Sequence, residues 1–189
     1  MFEVERFLEE CREALAESTP ELAMKELMER TVSSPDELMR AFGEPDTLDN
    51  IQPLYRADDL TVMHFVWPPH MNLFPHDHRM WAVIGVYGGQ EDNIFYKRRA
   101  DGQGLDTVNG KTMVGKDVSV LGKDVIHKVA NPLMAYTPAI HVYGGDFFKP
   151  GRSEWADDAS PEEPLGPDSI TNAFAAANAY AAKLKAEQG

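Results

Sequence analysis

Leu60-Thr61-Val62-Met63-His64-Phe65-Val66-Trp67, closed at once by Pro68-Pro69, is the stretch on which the fold turns. It is rich in β-branched and aromatic residues, too short for a typical helix, and ends where proline stops regular pairing. Similar runs follow it. Met80 to Tyr87, Asn93 to Arg98, Val118 to Leu121, Val125 to Val129 and Ala139 to Tyr143 all read as short strands. Gly88-Gly89, Gly102, Gly104, Asn109-Gly110, Gly122 and Gly144-Gly145 punctuate them. Many short strands separated by Gly/Pro turns predict an all-β barrel or sandwich. Asn109-Gly110 is the strongest local hairpin signal among them.

Outside this region the period changes. Val4, Phe7, Leu8, Cys11, Ala14 and Leu15 recur at helical spacing. Thr19-Pro20 and Ser34-Pro35-Asp36-Glu37 read as two further helix starts, the second a capping box, and Gly43 and Pro45 end the last of these helices. The lone cysteine, Cys11, lies on an apolar helix face and reads as a core residue. Gly151 to Asp168 is polar and proline-rich and reads as a surface loop. Ile170, Phe174, Ala177, Ala181 and Leu184 then form one stripe of a last helix. The expected organisation is therefore 1–45 as an N-terminal helical region packed on a barrel, 50–150 as the barrel, and 151–189 as polar loop and C-terminal helix.

Composition removes several function classes. The chain has 189 residues, and 18 Lys+Arg against 31 Asp+Glu leave a net charge of −13. Such a surface repels phosphate backbones, so nucleic acid is not expected as a partner. One cysteine excludes an intramolecular disulfide and a cysteine-rich metal site. No apolar run approaches the ~18 residues of a membrane span, and the acidic N-terminus lacks the basic region of a secretory signal. The expectation is a cytoplasmic protein acting on a small molecule. Its oligomeric state is not legible.

The 6 histidines, His64, His70, His76, His78, His127 and His141, all fall in the β-rich region. In a strand, residues two apart share a face, so His76-Asp77-His78 projects two imidazoles side by side. That is half of a metal site, although a bare His-x-His also occurs on surfaces. His127 lies in an apolar strand 127 − 78 = 49 residues later, and an intervening hairpin can bring it beside the pair. His64 alternates with Leu60, Val62 and Val66 and reads as buried. His70 follows Pro68-Pro69 and reads as a loop residue.

Together, Pro75-His76-Asp77-His78 and Gly115-Lys116-Asp117-Val118 with Ile126-His127 resemble the two motifs of the cupin superfamily, over roughly residues 50–150. The resemblance implies a mainly β fold, a jelly roll or double-stranded β-helix. It also implies that His76, His78 and His127 bind a divalent metal inside the barrel. Where many cupins carry a glutamate ligand after the second histidine, this chain has Ala82 and Val83. Glu91, the nearest acid beyond, follows Gly88-Gly89 and reads as a turn residue. A three-histidine site is expected. A neutral ligand set suits non-haem Fe(II), and Ni, Mn, Co or Zn also fit it.

Trp67 to Gly89, Ile126 to Asn131 and Ala139-Ile140-His141-Val142-Tyr143 resemble the thiol dioxygenases, which include cysteine and mercaptopropionate dioxygenase. They are equally similar to uncharacterised bacterial relatives described as predicted metal-dependent enzymes of the same superfamily. The resemblance implies oxidation of a small thiol or related acid by O2 at three-histidine iron. It implies that His141 and Tyr143 form a catalytic hydrogen-bonded pair and that Arg56 clamps a substrate carboxylate. Read from the residues alone, a core pair is the lesser alternative for His141 and Tyr143, and a solvated arginine is an equal alternative for Arg56. Two positions depart from the family: Ala139 replaces the serine of its Ser-x-His-x-Tyr triad, and Val83 replaces a cysteine that crosslinks to the tyrosine. These departures leave room for another three-histidine reaction, namely diketone or aromatic carbon–carbon cleavage, a lyase or an isomerase. A non-catalytic metal- or ligand-binding cupin is the remaining alternative.

Overall fold

From Thr61 to Trp67 every side chain is buried, because the strand they form is covered on both faces. The structure, a computed structural model, describes residues 1–187. It opens with α1 (Val4–Leu15), α2 (Pro20–Val32) and α3 (Pro35–Phe42). The strands are β1 (Ile51–Arg56), β2 (Thr61–Trp67), β3 (Asn72–Asp77), β4 (Ala82–Val86), β5 (Gln90–Arg98) and β6 (Leu105–Val114). They continue as β7 (Val118–Leu121), β8 (Ile126–Ala130), β9 (Thr137–Tyr143), β10 (Ser153–Glu154) and β11 (Glu163–Pro164), and α4 (Ser169–Glu187) closes the fold. One sheet runs β1-β2-β9-β4-β7 and the other β11-β10-β3-β8-β5-β6, antiparallel throughout. Two such sheets folded face to face form a mainly β jelly roll.

Alternation explains the layers. Met63, Phe65 and Trp67 of β2 point into the barrel with Leu73, Met113 and Val129 of the opposing sheet. Val62 of β2, Val83 of β4 and Ile140 and Val142 of β9 point the other way, onto Phe7, Cys11, Met28 and Leu38 of the helices. Strands covered on both faces need apolar residues on both, which is why β2, β4 and β9 read as near-continuous apolar runs. Gly85 lets α2 approach β4, since a Cβ there would stand 2.5 Å from Met28 and 2.8 Å from Val32. On the interior side, Phe174 of α4 stacks on Trp67 and Phe65 at centroid distances of 5.1 and 6.0 Å.

Three local expectations differ from the structure. Asn109 and Gly110 do not turn the chain; they pair with Phe95 and Ile94 in the middle of β6, beside a register shift. The hairpin closes instead over 99–104, where Gly102 and Gly104 take φ of +74° and +91°. The tail after Gly151 is not wholly at the surface, because β10 pairs with β3 and buries Ser153 and Trp155. Helices α2 and α3 start where the prolines predict, but neither Thr19 nor Ser34 makes a side-chain capping bond.

Candidate metal centre

The site grows from the β3–β8 pairing. His76 of β3 and His127 of β8 are direct Cα partners, so both rings project from one face of the sheet. His78 lies just past the end of β3, followed by Arg79 in the left-handed region at φ 58°. Between the two histidines, buried Asp77 points to the other face. It accepts hydrogen bonds from the Ser153 N–H at 2.8 Å and Arg98 Nη2 at 3.1 Å, and Arg79 Nε lies 2.7 Å away. Arg79 and Arg98 also reach Glu162, whose carboxyl the Arg98 hydrogen bond holds down at about 2. The His-x-His segment is thus anchored from outside the barrel.

Inside, the three rings converge. His78 Nε2 is 3.2 Å from His76 Nε2 and 3.2 Å from His127 Nε2, and one nitrogen from each ring lies within 4.8 Å of the others. Donors about 2 Å from a shared first-row ion stand roughly 3 Å apart, so this spacing fits one ion. The outer nitrogens fix the rings. His76 Nδ1–H donates to the Phe74 carbonyl at 3.0 Å, and His127 Nδ1–H donates to Asn93 Oδ1 at 2.7 Å. Each bond leaves the Nε2 lone pair facing the cluster. Burial holds all three imidazoles below their ordinary pKa, His76 at about 4, so near pH 7 they are neutral donors. Among the described residues, no carboxylate or cysteine joins this cluster.

Around it, Phe65, Trp67, Leu73, Phe147 and Ile170 line a small cavity. His141 and Tyr143, two apart on β9, face the same cavity. The Tyr143 hydroxyl and His141 Nδ1 are 3.0 Å apart, and the Tyr143 ring lies 5.0 Å from that of His78. Burial raises the Tyr143 phenol above its ordinary range. Ala139 continues this face and offers no hydroxyl, while Val83 packs against the helices, away from Tyr143.

Arg56 sits at the end of β1 with its guanidinium committed. Nε and Nη2 donate to the two carboxylate oxygens of Asp146 at 2.9 and 3.0 Å, and the side chain is 52% exposed. A different arginine escaped the sequence reading. Arg152 stacks over Phe147 with Cζ 4.0 Å from the ring centre, and its Nε and Nη1 are buried without a partner. Neither arginine is among the residues that line the cavity, but Arg152 stacks on Phe147, which does line it. Glu91 also differs from expectation. It lies within β5 rather than in a turn, fully buried, bonded to Trp67 and Asn93 and 3.6 Å from His141 Nε2. The other two histidines fall where the sequence placed them: His64, by alternation, buried between β2 and the helices, and His70, after Pro68-Pro69, in an exposed loop.

No protein-family model matches the chain. Among solved structures, it is similar to BH2720 from Bacillus halodurans at 14% identity and a TM-score of 0.47, over 59% of this chain and 76% of that one. An RmlC-like cupin with a double-stranded β-helix fold from Methanocaldococcus jannaschii gives 9% identity and a TM-score of 0.43, over 51% and 80%. Recombinant oxalate oxidase in complex with glycolate gives 14% and 0.43, over 60% and 59%. These neighbours include cupin-superfamily proteins. The jelly roll itself rests on the strand order and register described above, and the chemistry rests on the residues of the site.

Proposed function

We propose that this protein is a metal-dependent oxidoreductase that holds non-haem Fe(II) with His76, His78 and His127 and oxidises a small thiol or related acid with O2. The observation that carries the reading is the convergence of three neutral imidazole nitrogens in a buried, aromatic-lined cavity, with Tyr143 and His141 beside them. Iron held by His76, His78 and His127 would supply the redox chemistry for oxidation by O2.

The remaining work falls to the chain's own side chains. Tyr143 stays protonated because burial disfavours phenolate, and His141 holds its hydroxyl in place beside the His78 ring. A phenol so placed can move a proton at a reacting oxygen or sulfur. Phe65, Trp67 and Phe147 exclude water. Arg152, stacked on the cavity-lining Phe147, is the charge an acidic substrate would meet: its buried Nε and Nη1 lack partners, which is costly unless an anion reaches them. We assign the carboxylate role to Arg152 rather than Arg56, because Asp146 already satisfies the Arg56 fork.

Ala139 in place of a triad serine favours a second reading, in which the same metal and pocket serve another reaction class, carbon–carbon cleavage, a lyase or an isomerase. Oxygen consumption by Fe(II)-loaded protein against small thiols, diketones and phenols tests both. Uptake with a thiol acid and formation of its sulfinate are expected. Turnover only of a diketone or phenol would favour the second reading, and no turnover of any would leave a binding protein.

A further inference from the structure

Among the described residues, Glu91 is the one buried acid whose hydrogen bonds lead to a histidine of the cluster. It is 0% exposed, and both of its carboxylate oxygens accept. Trp67 Nε1–H donates to Oε2 at 2.8 Å, and Asn93 Nδ2–H donates to Oε1 at 2.9 Å. Glu91 and Asn93 are two apart on β5, so they share the inward face, and Asn93 stands between Glu91 and His127.

This order leaves little freedom. An indole N–H can only donate, so Oε2 is committed to accepting. A carboxylate accepts at its second oxygen as well, so the Asn93 amide must turn its NH2 toward Glu91. The Asn93 carbonyl then faces the opposite way, 2.7 Å from His127 Nδ1. A carbonyl also only accepts, so the His127 proton must sit on Nδ1. A neutral imidazole protonated there has its lone pair on Nε2, the atom 3.2 Å from His78 Nε2. We propose that Glu91 is a positioning residue which, by orienting Asn93, locks His127 in the tautomer whose Nε2 can bind a metal. The purpose of this lock rests on the metal reading above. The tautomer itself is a property of the metal-free protein.

Glu91→Gln is nearly isosteric and reverses the chain. The single carboxamide oxygen goes to Trp67, so its NH2 faces Asn93. Asn93 must flip, its NH2 then meets His127 Nδ1, and the imidazole proton moves to Nε2, inside the cluster. Adding Trp67→Phe removes the indole donor, frees the carboxamide oxygen to face Asn93, and restores the original tautomer.

The test is nitrogen-15 NMR of the histidine side chains in metal-free protein, with His127 identified by its loss in His127→Gln. The wild type should carry the His127 proton on Nδ1, Glu91→Gln should carry it on Nε2, and Glu91→Gln with Trp67→Phe should return it to Nδ1. Titration with Zn(II) should show about tenfold or more weaker binding in Glu91→Gln and recovery in the double variant. A wild-type proton on Nε2, or an Nδ1 proton retained in folded Glu91→Gln, overturns the proposal. The wild-type spectrum decides alone if Glu91→Gln does not fold. A wild type with the Nδ1 proton that binds no Zn(II) would sink the metal reading while upholding control of the tautomer by Glu91.

Discussion

His76 and His127 face each other as Cα partners across the β3–β8 ladder, with ring centroids 4.7 Å apart. Two of the three converging nitrogens therefore exist as neighbours only once these strands, about fifty residues apart in the chain, have paired. The barrel thus builds the cluster.

The Tyr143–His141 pair should act as a unit. Tyr143→Phe is expected to keep its metal and lose about 10²-fold in turnover, because only the hydroxyl is removed. His141→Ala should lose a similar amount, and the double variant should be scarcely worse than either single one. Metal analysis and steady-state rates on the same preparations check this. Parental turnover in Tyr143→Phe would make the tyrosine a packing residue.

The two arginines separate cleanly. Arg152→Ala should raise KM for a carboxylate-bearing substrate by roughly 10–150-fold, the equivalent of about 1.5–3 kcal/mol for a charge-assisted pair. It should leave a neutral analogue almost unaffected. Arg56→Ala should change KM little, since its guanidinium is already engaged by Asp146. The opposite ranking would return the clamp to Arg56.

Acid should weaken the fold through His64. It lies under Phe42, its ring stacked at 4.2 Å and its Nε2 2.7 Å from the Tyr87 hydroxyl, and burial lowers its pKa from 6.5 to about 4. The unfolded chain therefore binds the extra proton first as pH falls. Stability from this group is complete above about 6.5 and drains away down to about 4, by roughly 3 kcal/mol at most. Metal-free protein should lose thermal stability across that window, and His64→Phe should flatten part of the slope. An equal slope in the variant would assign the acid sensitivity elsewhere.

Much of this site was legible in the sequence because it depends on local alternation. His76 and His78 are two apart, as are His141 and Tyr143, and period two places each pair on one face whatever the rest of the chain does. The apolar runs at β2, β4 and β9 were equally plain, because sheets covered on both sides demand them. What escaped depends on tertiary surroundings. Gly88-Gly89 drew Glu91 into a turn, yet β5 begins one residue earlier and carries it inward. Asn109-Gly110 carries turn chemistry that the longer β5–β6 pairing overrides. Arg152 has no local signature at all, since an arginine becomes notable only when its surroundings bury it and leave it without a partner.

The most direct test of the account is the metal content of purified protein and its histidine variants, measured per chain after dialysis. Wild-type protein loaded with Fe(II) should retain about one ion, and His76→Ala, His78→Ala and His127→Ala should each lose it, because a missing ligand removes much of the binding free energy. His70→Ala, altered in an exposed loop, should match the wild type. Full occupancy in any of the three variants, or no retained metal in the wild type, would contradict the central claim.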